Sequence, residues 1–263
     1  MRKSTILALV VALVILGVAV IPAGAIKYGD YDGDAHPYVG IMVAKDGAGN
    51  PLWRCSGTLL SEDVFLTAGH CTEAPAVTAE IWFYSNEADV RANGYPYVGQ
   101  VSGVVHVHPE FYDAAFFVHD VGVVVLNTPM PMDEYGVLPE VDQFDALKTA
   151  RGNQDVTFTA VGYGLQYINP VFVEAELSRM VATPQLLQIN VPGFTGDFSL
   201  LLSNNHSTGG TCFGDSGGPN FYGDSNIVAG VTSFGINGNC AGTGGVFRMD
   251  RQNVQDFVNS FLN

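Results

Sequence analysis

The strongest constraint on the fold is the density of short runs of β-branched and aromatic residues, each bounded by Gly, Asn, Asp or Pro. Seven such runs are residues 38–44, 64–67, 81–84, 101–107, 121–126, 156–161 and 227–233. Runs of this length with little 3.6-residue periodicity predict the strands of a β-sandwich or β-barrel. The helices that a parallel α/β fold places between its strands are not evident. The predicted fold class is therefore all-β.

Helical spacing is found at one place, the carboxyl end. Val254, Phe257, Val258, Phe261 and Leu262 recur at that spacing, which predicts one amphipathic helix over about 250–262. A stretch rich in Pro, Met and acidic residues, about 131–150, has no strand character and is interpreted as a crossing between two halves. The pattern is weak over 166–210 and predicts no definite elements there.

The first 25 residues have the composition of a secretory signal. Arg2 and Lys3 precede an apolar run over 6–21, and Ala23-Gly24-Ala25 is a small-residue cleavage site. The alternative is an uncleaved membrane anchor. We expect cleavage after Ala25 and a secreted protein, extracellular or periplasmic.

The charge balance excludes some partners. The formal net charge is −15, and removal of two basic residues with the signal leaves nine of 11 against 26 acidic residues. Such a surface repels phosphate backbones and anionic membranes, so we expect no nucleic-acid or membrane partner.

Four cysteines in an exported chain predict two disulfides, with three pairings open. Sequence neighbourhood favours Cys55 with Cys71 and Cys212 with Cys240. Each bridge would contribute roughly 3 kcal/mol on the loop-entropy account. A metal site is the alternative, but no Cys-x-x-Cys or Cys/His ligand spacing is found.

A glycine-flanked serine at the centre of residues 211–219 points to acyl transfer. Glycines around Ser216 permit a tight turn that exposes its Oγ while aiming the amides of Gly214 and Ser216 at one point, as an oxyanion requires. A Gly-rich surface turn is the plain alternative. The nucleophile elbow of α/β-hydrolases needs a histidine after the serine, and His206 is the last histidine of the chain, so that interpretation fails.

Upstream residues supply the order His, Asp, Ser. His70 ends a predicted strand next to Cys71, which would fix the position of a general base. Asp120 opens an apolar run, where a buried carboxylate needs a partner such as an imidazole N–H. A structural histidine beside a disulfide and a turn-capping aspartate are the alternatives.

Together these segments resemble the secreted chymotrypsin-like serine peptidases. The resemblance rests on residues 67–71, 119–121 and 214–219, and extends in patches from Ile26 to the terminal helix. It implies two six-stranded antiparallel β-barrels with a C-terminal helix: a first barrel over about 26–130, a crossing over about 131–150 and a second barrel over about 151–249, with the peptidase domain at 26–263.

The resemblance also implies site residues. His70, Asp120 and Ser216 would be catalytic, and the amides of Gly214 and Ser216 would form the oxyanion hole. Substrate would be bound by a larger set: Gly210, Phe213, Ser233, Phe234, Gly235 and Gly245. Ser233–Gly235 would pair with the substrate backbone as an added strand.

Two departures from the family pattern give further expectations. Ile26 follows Ala25 rather than a basic residue, so signal removal alone would free the α-amine that pairs with Asp215. Gly210 stands where trypsin-like members carry an aspartate at the pocket floor, and Gly235 and Gly245 leave the walls open. We therefore expect a neutral, large apolar or aromatic side chain before the scissile bond.

His106 and His108 alternate on a predicted strand and would share a face, as metal ligands can. No third ligand is evident, and His119 would lie on the face opposite Asp120 in an extended segment, so we predict no metal and no cofactor. Trp53 and Trp82 are predicted in the core.

The function predicted is a secreted serine endopeptidase, monomeric, acting on polypeptides, with proteinaceous inhibitors as a further partner class. A non-catalytic binding protein on the same scaffold and an esterase using the same site are the alternatives.

Overall fold

The computed structural model describes residues 26–115, 118–149, 155–169 and 171–262. The proposed signal segment lies outside these ranges. No helix within them is long and apolar enough to cross a bilayer.

The first half of the chain forms a closed antiparallel barrel. Its strands are β2 (Val39–Lys45), β3 (Pro51–Leu59), β4 (Val64–Thr67), β5 (Thr78–Trp82), β6 (Val101–Val107) and β7 (Gly122–Leu126). Around the barrel they follow the order β2-β3-β4-β7-β6-β5, and each strand pairs with its neighbours in that order.

The second half forms an eight-stranded antiparallel sheet and a separate two-stranded hairpin. The sheet contains β1 (Asp30–Tyr31), β8 (Phe158–Gly162), β11 (Met180–Ala182), β12 (Leu186–Val191), β13 (Gly196–Asn204), β14 (Pro219–Tyr222), β15 (Val228–Gly235) and β16 (Gly242–Arg248), and the hairpin contains β9 (Tyr167–Ile168) and β10 (Val173–Glu174). The strand order in the sheet is β1-β11-β8-β14-β15-β16-β13-β12. A bridge between Thr157 and Gln185 joins the start of β12 to the start of β8, so the six strands from β8 to β12 in this order curl into a second barrel-like unit.

The predicted all-β class and C-terminal helix are confirmed. Two α-helices are present in the described residues, α1 (Glu87–Ala92) and α2 (Gln252–Asn259). Helix α2 buries Val254 and Val258. Helix α1 was not predicted because six residues are too few for periodicity to show; the side chain of Asn86 caps it by accepting from the amide of Asp89.

The larger buried apolar cluster fills the first barrel and continues into the second half, where it includes Phe247; a smaller cluster lies within the second half. Trp82 is fully buried among the residues of the first barrel, as predicted. Trp53 is only partly buried and donates from Nε1 to the carbonyl oxygen of Cys71 over 3.0 Å. The second cluster is built around Phe158, Leu200 and Val246. The predicted strandless stretch contains a 3-10 helix, Gln143–Thr149, and the weakly patterned 166–210 contains β9 to β13.

Candidate active site between the two halves

A hydrogen-bonded pair, His70 and Asp120, stands at the edge of the first barrel. His70 lies in the 3-10 turn Gly69–Cys71 that follows β4, and Asp120 lies two residues before β7. Nδ1 of His70 is 2.9 Å from Oδ2 and 3.1 Å from Oδ1 of Asp120. The turn is tied down by the Cys55–Cys71 disulfide, so the position of the imidazole is fixed on both sides.

The carboxylate of Asp120 is fully buried and has three donors. Besides the His70 ring, it accepts from the backbone N–H of His70 at 2.9 Å and from Oγ of Ser233 at 2.5 Å. These bonds compensate the cost of burying a charged group. Burial alone would lower the pKa of His70, but the charge of Asp120 and its hydrogen bond outweigh it and raise that pKa above its ordinary value.

The Ser216 loop, residues 211–218 before β14, is anchored to the first barrel. The backbone N–H of Ser56, on β3, donates to the carbonyl oxygen of Ser216 at 2.8 Å, and Oγ of Ser56 donates to the carbonyl oxygen of Gly214 at 2.9 Å. Gly217 has φ +78°, and a Cβ there would lie 2.0 Å from Oγ1 of Thr67. Only glycine permits both this backbone conformation and this approach.

Two amides of the loop are left for a ligand. Within the described part of the chain, neither the Gly214 nor the Ser216 N–H donates a hydrogen bond, whereas Asp215, Gly217 and Gly218 donate to backbone carbonyls. Gly214 has φ +97°. The arrangement can therefore accept a negatively charged oxygen.

The side chain of Asp215, in the same loop, is fully buried. Its carboxylate accepts from the backbone N–H of Gly164 at 2.7 Å and of Cys212 at 2.8 Å. Burial raises the pKa of Asp215 to about 7, against the lowering effect of these two bonds and of the Arg54 charge. No ion pair to Asp215 is formed among the residues that the structure describes.

Ile26 is fully buried and packs with Ala160, Met180 and Ala182. The next residue, Lys27, pairs with Gly210. The start of the described chain therefore lies against the second half of the molecule, in which Asp215 is also buried.

A cavity of about 420 Å³ lies next to His70 and the Ser216 loop. Its walls come from the first half, the Ser216 loop and the β15 end: His70, Asp113, Thr211, Cys212, Phe213, Ser216, Thr232, Ser233, Phe234, Gly235, Asn237 and Cys240. His70 and Ser216 thus line the same cavity, and four of the predicted substrate-binding residues line it with them: Phe213, Ser233, Phe234 and Gly235.

Gly210 and Gly245 are not among the lining residues. A Cβ on Gly210 would lie 2.5 Å from the side chain of Asn204, and one on Gly245 would lie 2.3 Å from the ring of Phe234. The aromatic ring of Phe234 therefore covers the wall that Gly245 was expected to leave open. The predicted disulfides Cys55–Cys71 and Cys212–Cys240 are confirmed.

Sequence reasoning missed Ser56, Asp113 and Asn237. Asp113 begins a short 3-10 helix, Asp113–Ala115, and Asn237 lies in a turn; neither is part of a motif, and Ser56 looks like any serine on a strand. Only its position next to Cys55 could have drawn attention to it.

The histidines outside the site are arranged differently from the prediction. The rings of His106 and Phe261 are 4.9 Å apart, whereas His108 stacks on His119 at 5.0 Å. His119 has φ +56°, so the segment is not extended there. Burial lowers the pKa of all three histidines: His106, His108 and His119.

Comparison with known proteins gives a consistent family. A family model described as Trypsin matches residues 30–258. The chain is 24% identical to the venom serine protease Bi-VSP of Bombus ignitus (84% of this chain, 62% of that protein), 27% to brachyurin of Leptuca pugilator (72% and 79%) and 30% to trypsin of Saccharopolyspora erythraea (76% and 82%). The chain thus spans less than two thirds of the Bombus protein.

Two solved structures share the fold. HL collagenase superposes with a TM-score of 0.67 at 19% identity, covering 90% of this chain and 97% of that one. The scabies mite inactivated protease paralogue S-D1 gives 0.66 at 14%, covering 90% and 98%. At these identities the likeness concerns the fold alone. Because the family model spans most of the chain, from residue 30 to residue 258, the protein belongs to the trypsin family.

Proposed function

We propose that the protein is a secreted serine endopeptidase in which His70, Asp120 and Ser216 form the catalytic triad. The observation that carries this proposal is that His70, which is hydrogen-bonded to the buried Asp120, lines the same cavity as Ser216. Family membership supports the same activity. The segment 1–25 is proposed as the signal that directs export.

In the proposed reaction Oγ of Ser216 attacks a peptide carbonyl while Nε2 of His70 takes its proton. The imidazolium returns this proton to the leaving amine as the C–N bond breaks, which leaves an acyl-enzyme. Water, deprotonated by His70, then releases the acid and restores the serine. Asp120 holds Nδ1–H and stabilises the imidazolium, and Ser233 keeps the carboxylate in place.

The unpaired amides of Gly214 and Ser216 are the proposed oxyanion donors. They would hydrogen-bond to the carbonyl oxygen once it carries negative charge, and the anchoring of both carbonyls by Ser56 keeps them aimed. One such donor is worth about 3 kcal/mol of transition-state stabilisation.

The side chain before the scissile bond is proposed to be large and apolar or aromatic. Phe213 and Phe234 supply apolar cavity wall, and the walls carry one carboxylate, Asp113, in the described residues. Asp113 is exposed, and water screens its charge. A buried Arg or Lys would therefore lack a partner.

The proposed activation step is release of the α-amine of Ile26. The buried carboxyl of Asp215 has a pKa of about 7 and no ion pair in the described structure, so a positive charge beside it would stabilise its charged form. An α-amine at Ile26 would supply that charge and order the Ser216 loop.

Labelling with a fluorophosphonate probe tests the activity. The wild-type chain should be labelled at Ser216 and should degrade casein, and Ser216→Ala should do neither. Ser225→Ala, in the turn between β14 and β15, is the matched control and should behave as wild type. Labelling without casein degradation would indicate an esterase, and no labelling of a folded protein would indicate a binding protein on this scaffold.

A further inference from the structure

The side chain of Lys27 is a buried cation without a carboxylate partner. Lys27 is 4% exposed. The other two lysines in the described part of the chain, Lys45 and Lys148, each pair with a carboxylate, whereas Lys27 forms no ion pair among the described residues. Residues 1–25 contain no acidic side chain that could provide one. Because a lysine is rarely buried to this extent unless it is paired, the position of Lys27 is unusual.

Two neutral groups contact the ammonium of Lys27. Its Nζ donates to the carbonyl oxygen of Asn239 at 2.5 Å, and it lies 5.1 Å from the centre of the Tyr28 ring. A carbonyl dipole and an aromatic face both stabilise a cation, but neither carries a negative charge. The positive charge of Lys27 is therefore not cancelled, and it lies where water, which screens charges, is largely excluded.

Both ends of Lys27 adjoin the wall of the proposed substrate cavity. Its backbone carbonyl oxygen accepts from the N–H of Gly210 at 3.0 Å, and the next residue, Thr211, lines the cavity. At the other end, the ammonium bonds to Asn239, and the residue after it, Cys240, also lines the cavity. The side chain of Lys27 therefore runs behind the part of the wall that Thr211 and Cys240 form.

We propose that Lys27 is a specificity-determining residue whose ammonium makes this wall positive, so that the cavity binds an acidic side chain better than a basic one of similar size. The inference rests on the proposed function, in which the cavity holds the side chain before the scissile bond. It adds a repulsive element, since a cation behind the wall disfavours Arg and Lys beyond the lack of a partner for them. Large apolar side chains remain the main class, and Glu is the charged residue that the cavity admits.

The other charges of the molecule do not account for such a preference. The formal net charge is −15, and a negative surface attracts cations in general. Three further titratable groups lie beside the cavity: His70 and Asp113 line it, and Asp215 accepts from the backbone N–H of the lining residue Cys212. All three are common to the parent chain and to a Lys27 variant, so their contributions cancel when the two are compared.

Equilibrium binding to the Ser216→Ala chain tests the proposal without catalysis. The probes are benzoate, benzamidine and benzamide, which are similar in shape and differ in charge, and binding is followed by NMR titration at pH 8, where less of His70 is charged than at neutral pH. Benzoate should bind roughly fivefold more tightly than benzamidine, or better. Lys27→Met, added to this chain, should lower that ratio by roughly fivefold with benzamide nearly unchanged, and Lys27→Arg should keep the ratio.

Two controls separate the charge of Lys27 from other effects. Lys148→Met removes the same charge from the surface and should leave the ratio unchanged, and Phe234→Ala should weaken all three probes, which places them in the cavity. Melting temperatures check that each variant folds; if Lys27→Met does not, the ratio in the parent decides. Tighter binding of benzamidine than of benzoate by the parent, an equal weakening of all three probes by Lys27→Met, or the same change of ratio in Lys148→Met would each overturn the proposal.

Cleavage of peptides that differ only in Glu or Lys before the scissile bond gives a second measurement. Lys27→Met, in the chain that keeps Ser216, should lower the Glu-to-Lys ratio of kcat/KM by roughly fivefold. A wild-type chain that cleaves no peptide would contradict the proposed function, and the probe measurements would still decide the role of Lys27.

Discussion

The hydroxyl of Ser56 donates a 2.9 Å hydrogen bond to the carbonyl oxygen of Gly214, across 158 positions of sequence. The same Oγ accepts from the backbone N–H of Tyr163 at 3.0 Å, and the backbone N–H of Ser56 donates to the carbonyl oxygen of Ser216. One fully buried serine of the first barrel therefore fixes the loop of the second half that carries the proposed nucleophile.

Ser56→Ala should lower both stability and rate. The substitution leaves the Gly214 carbonyl and the Tyr163 amide buried without a partner, which costs about 1–3 kcal/mol for each group. The Gly214 N–H should then no longer be held towards the proposed oxyanion position, so we expect kcat to fall at least fivefold with little change in KM. Urea unfolding and steady-state kinetics on a peptide substrate measure the two effects.

Ser61→Ala is the matched control for Ser56→Ala, because Ser61 is a serine after the same strand whose hydroxyl bonds only to the exposed Asp63. It should change neither quantity appreciably. A Ser56→Ala protein with the stability and kcat of wild type would show that this bond does not position the loop.

The sequence predicts the parts of this site that short motifs carry and misses those that depend on three-dimensional packing. His70 and Ser216 lie in segments whose residue types already indicate their chemistry, and Asp120 follows from the need of a buried carboxylate for a partner. The two disulfides follow from neighbourhood. Ser56 has no local signature, because its importance comes from β3 lying beside a loop that is distant in sequence.

The same limit applies to the conformation of single residues. His119 was expected to alternate with its neighbours, as residues of a strand do. One positive φ cancels that alternation and places its ring against His108. Likewise, a glycine at position 245 predicts open space only if no neighbouring ring fills it, and Phe234 does.

The activity should rise with pH through the pKa of His70. Only the neutral imidazole acts as a base, and Asp120 raises the pKa of His70 above the ordinary 6.5. The acidic limb of kcat/KM should therefore have its midpoint above pH 6.5. Asp120→Asn should lower kcat by about 10⁴-fold and move that midpoint to lower pH.

Ser233→Ala gives a shift in the opposite direction. Removal of the 2.5 Å donor leaves more of the Asp120 charge to act on His70. The midpoint should move to higher pH, with a loss of severalfold in kcat/KM at neutral pH. The control Ser225→Ala should leave the profile unchanged, and an unmoved midpoint in Ser233→Ala would contradict the positioning role.

Selectivity for aromatic side chains should depend on Phe234. Its ring lines the cavity and covers Gly245, so Phe234→Ala removes contact area that a bound side chain uses in the ground state and in the transition state alike. We expect KM for a substrate with Phe before the scissile bond to rise about tenfold with kcat nearly constant. A cleavage profile of a peptide library should also show no preference for Arg or Lys.

Phe172→Ala is the control for Phe234→Ala, because Phe172 is an exposed aromatic residue that does not line the cavity. It should leave KM and the cleavage profile unchanged. Cleavage mainly after Arg or Lys by the wild-type protein would exclude the proposed specificity.

A chain extended before Ile26 should differ from one that begins at Ile26. In the extended form Asp215 has a pKa of about 7 against an ordinary 3.8. Below the ordinary value the carboxyl is protonated in both the folded and unfolded states. Between about pH 4 and 7 only the folded state keeps the proton, so the free energy of unfolding should fall as pH rises, by on the order of 4 kcal/mol.

A free α-amine at Ile26 would pair with the carboxylate and remove this loss, since the ion pair favours the charged form of Asp215. A cleavable extension allows both states to be measured on one preparation. Removal of the extension should raise kcat/KM at least tenfold and flatten the fall in stability between pH 4 and 7, and Asp215→Asn should flatten that fall in the extended form as well. Equal activity before and after cleavage would show that the Ser216 loop does not need an ion pair between Asp215 and the amine. The charge of Arg54, which lowers the pKa of Asp215, would then be the compensating charge to test by substitution.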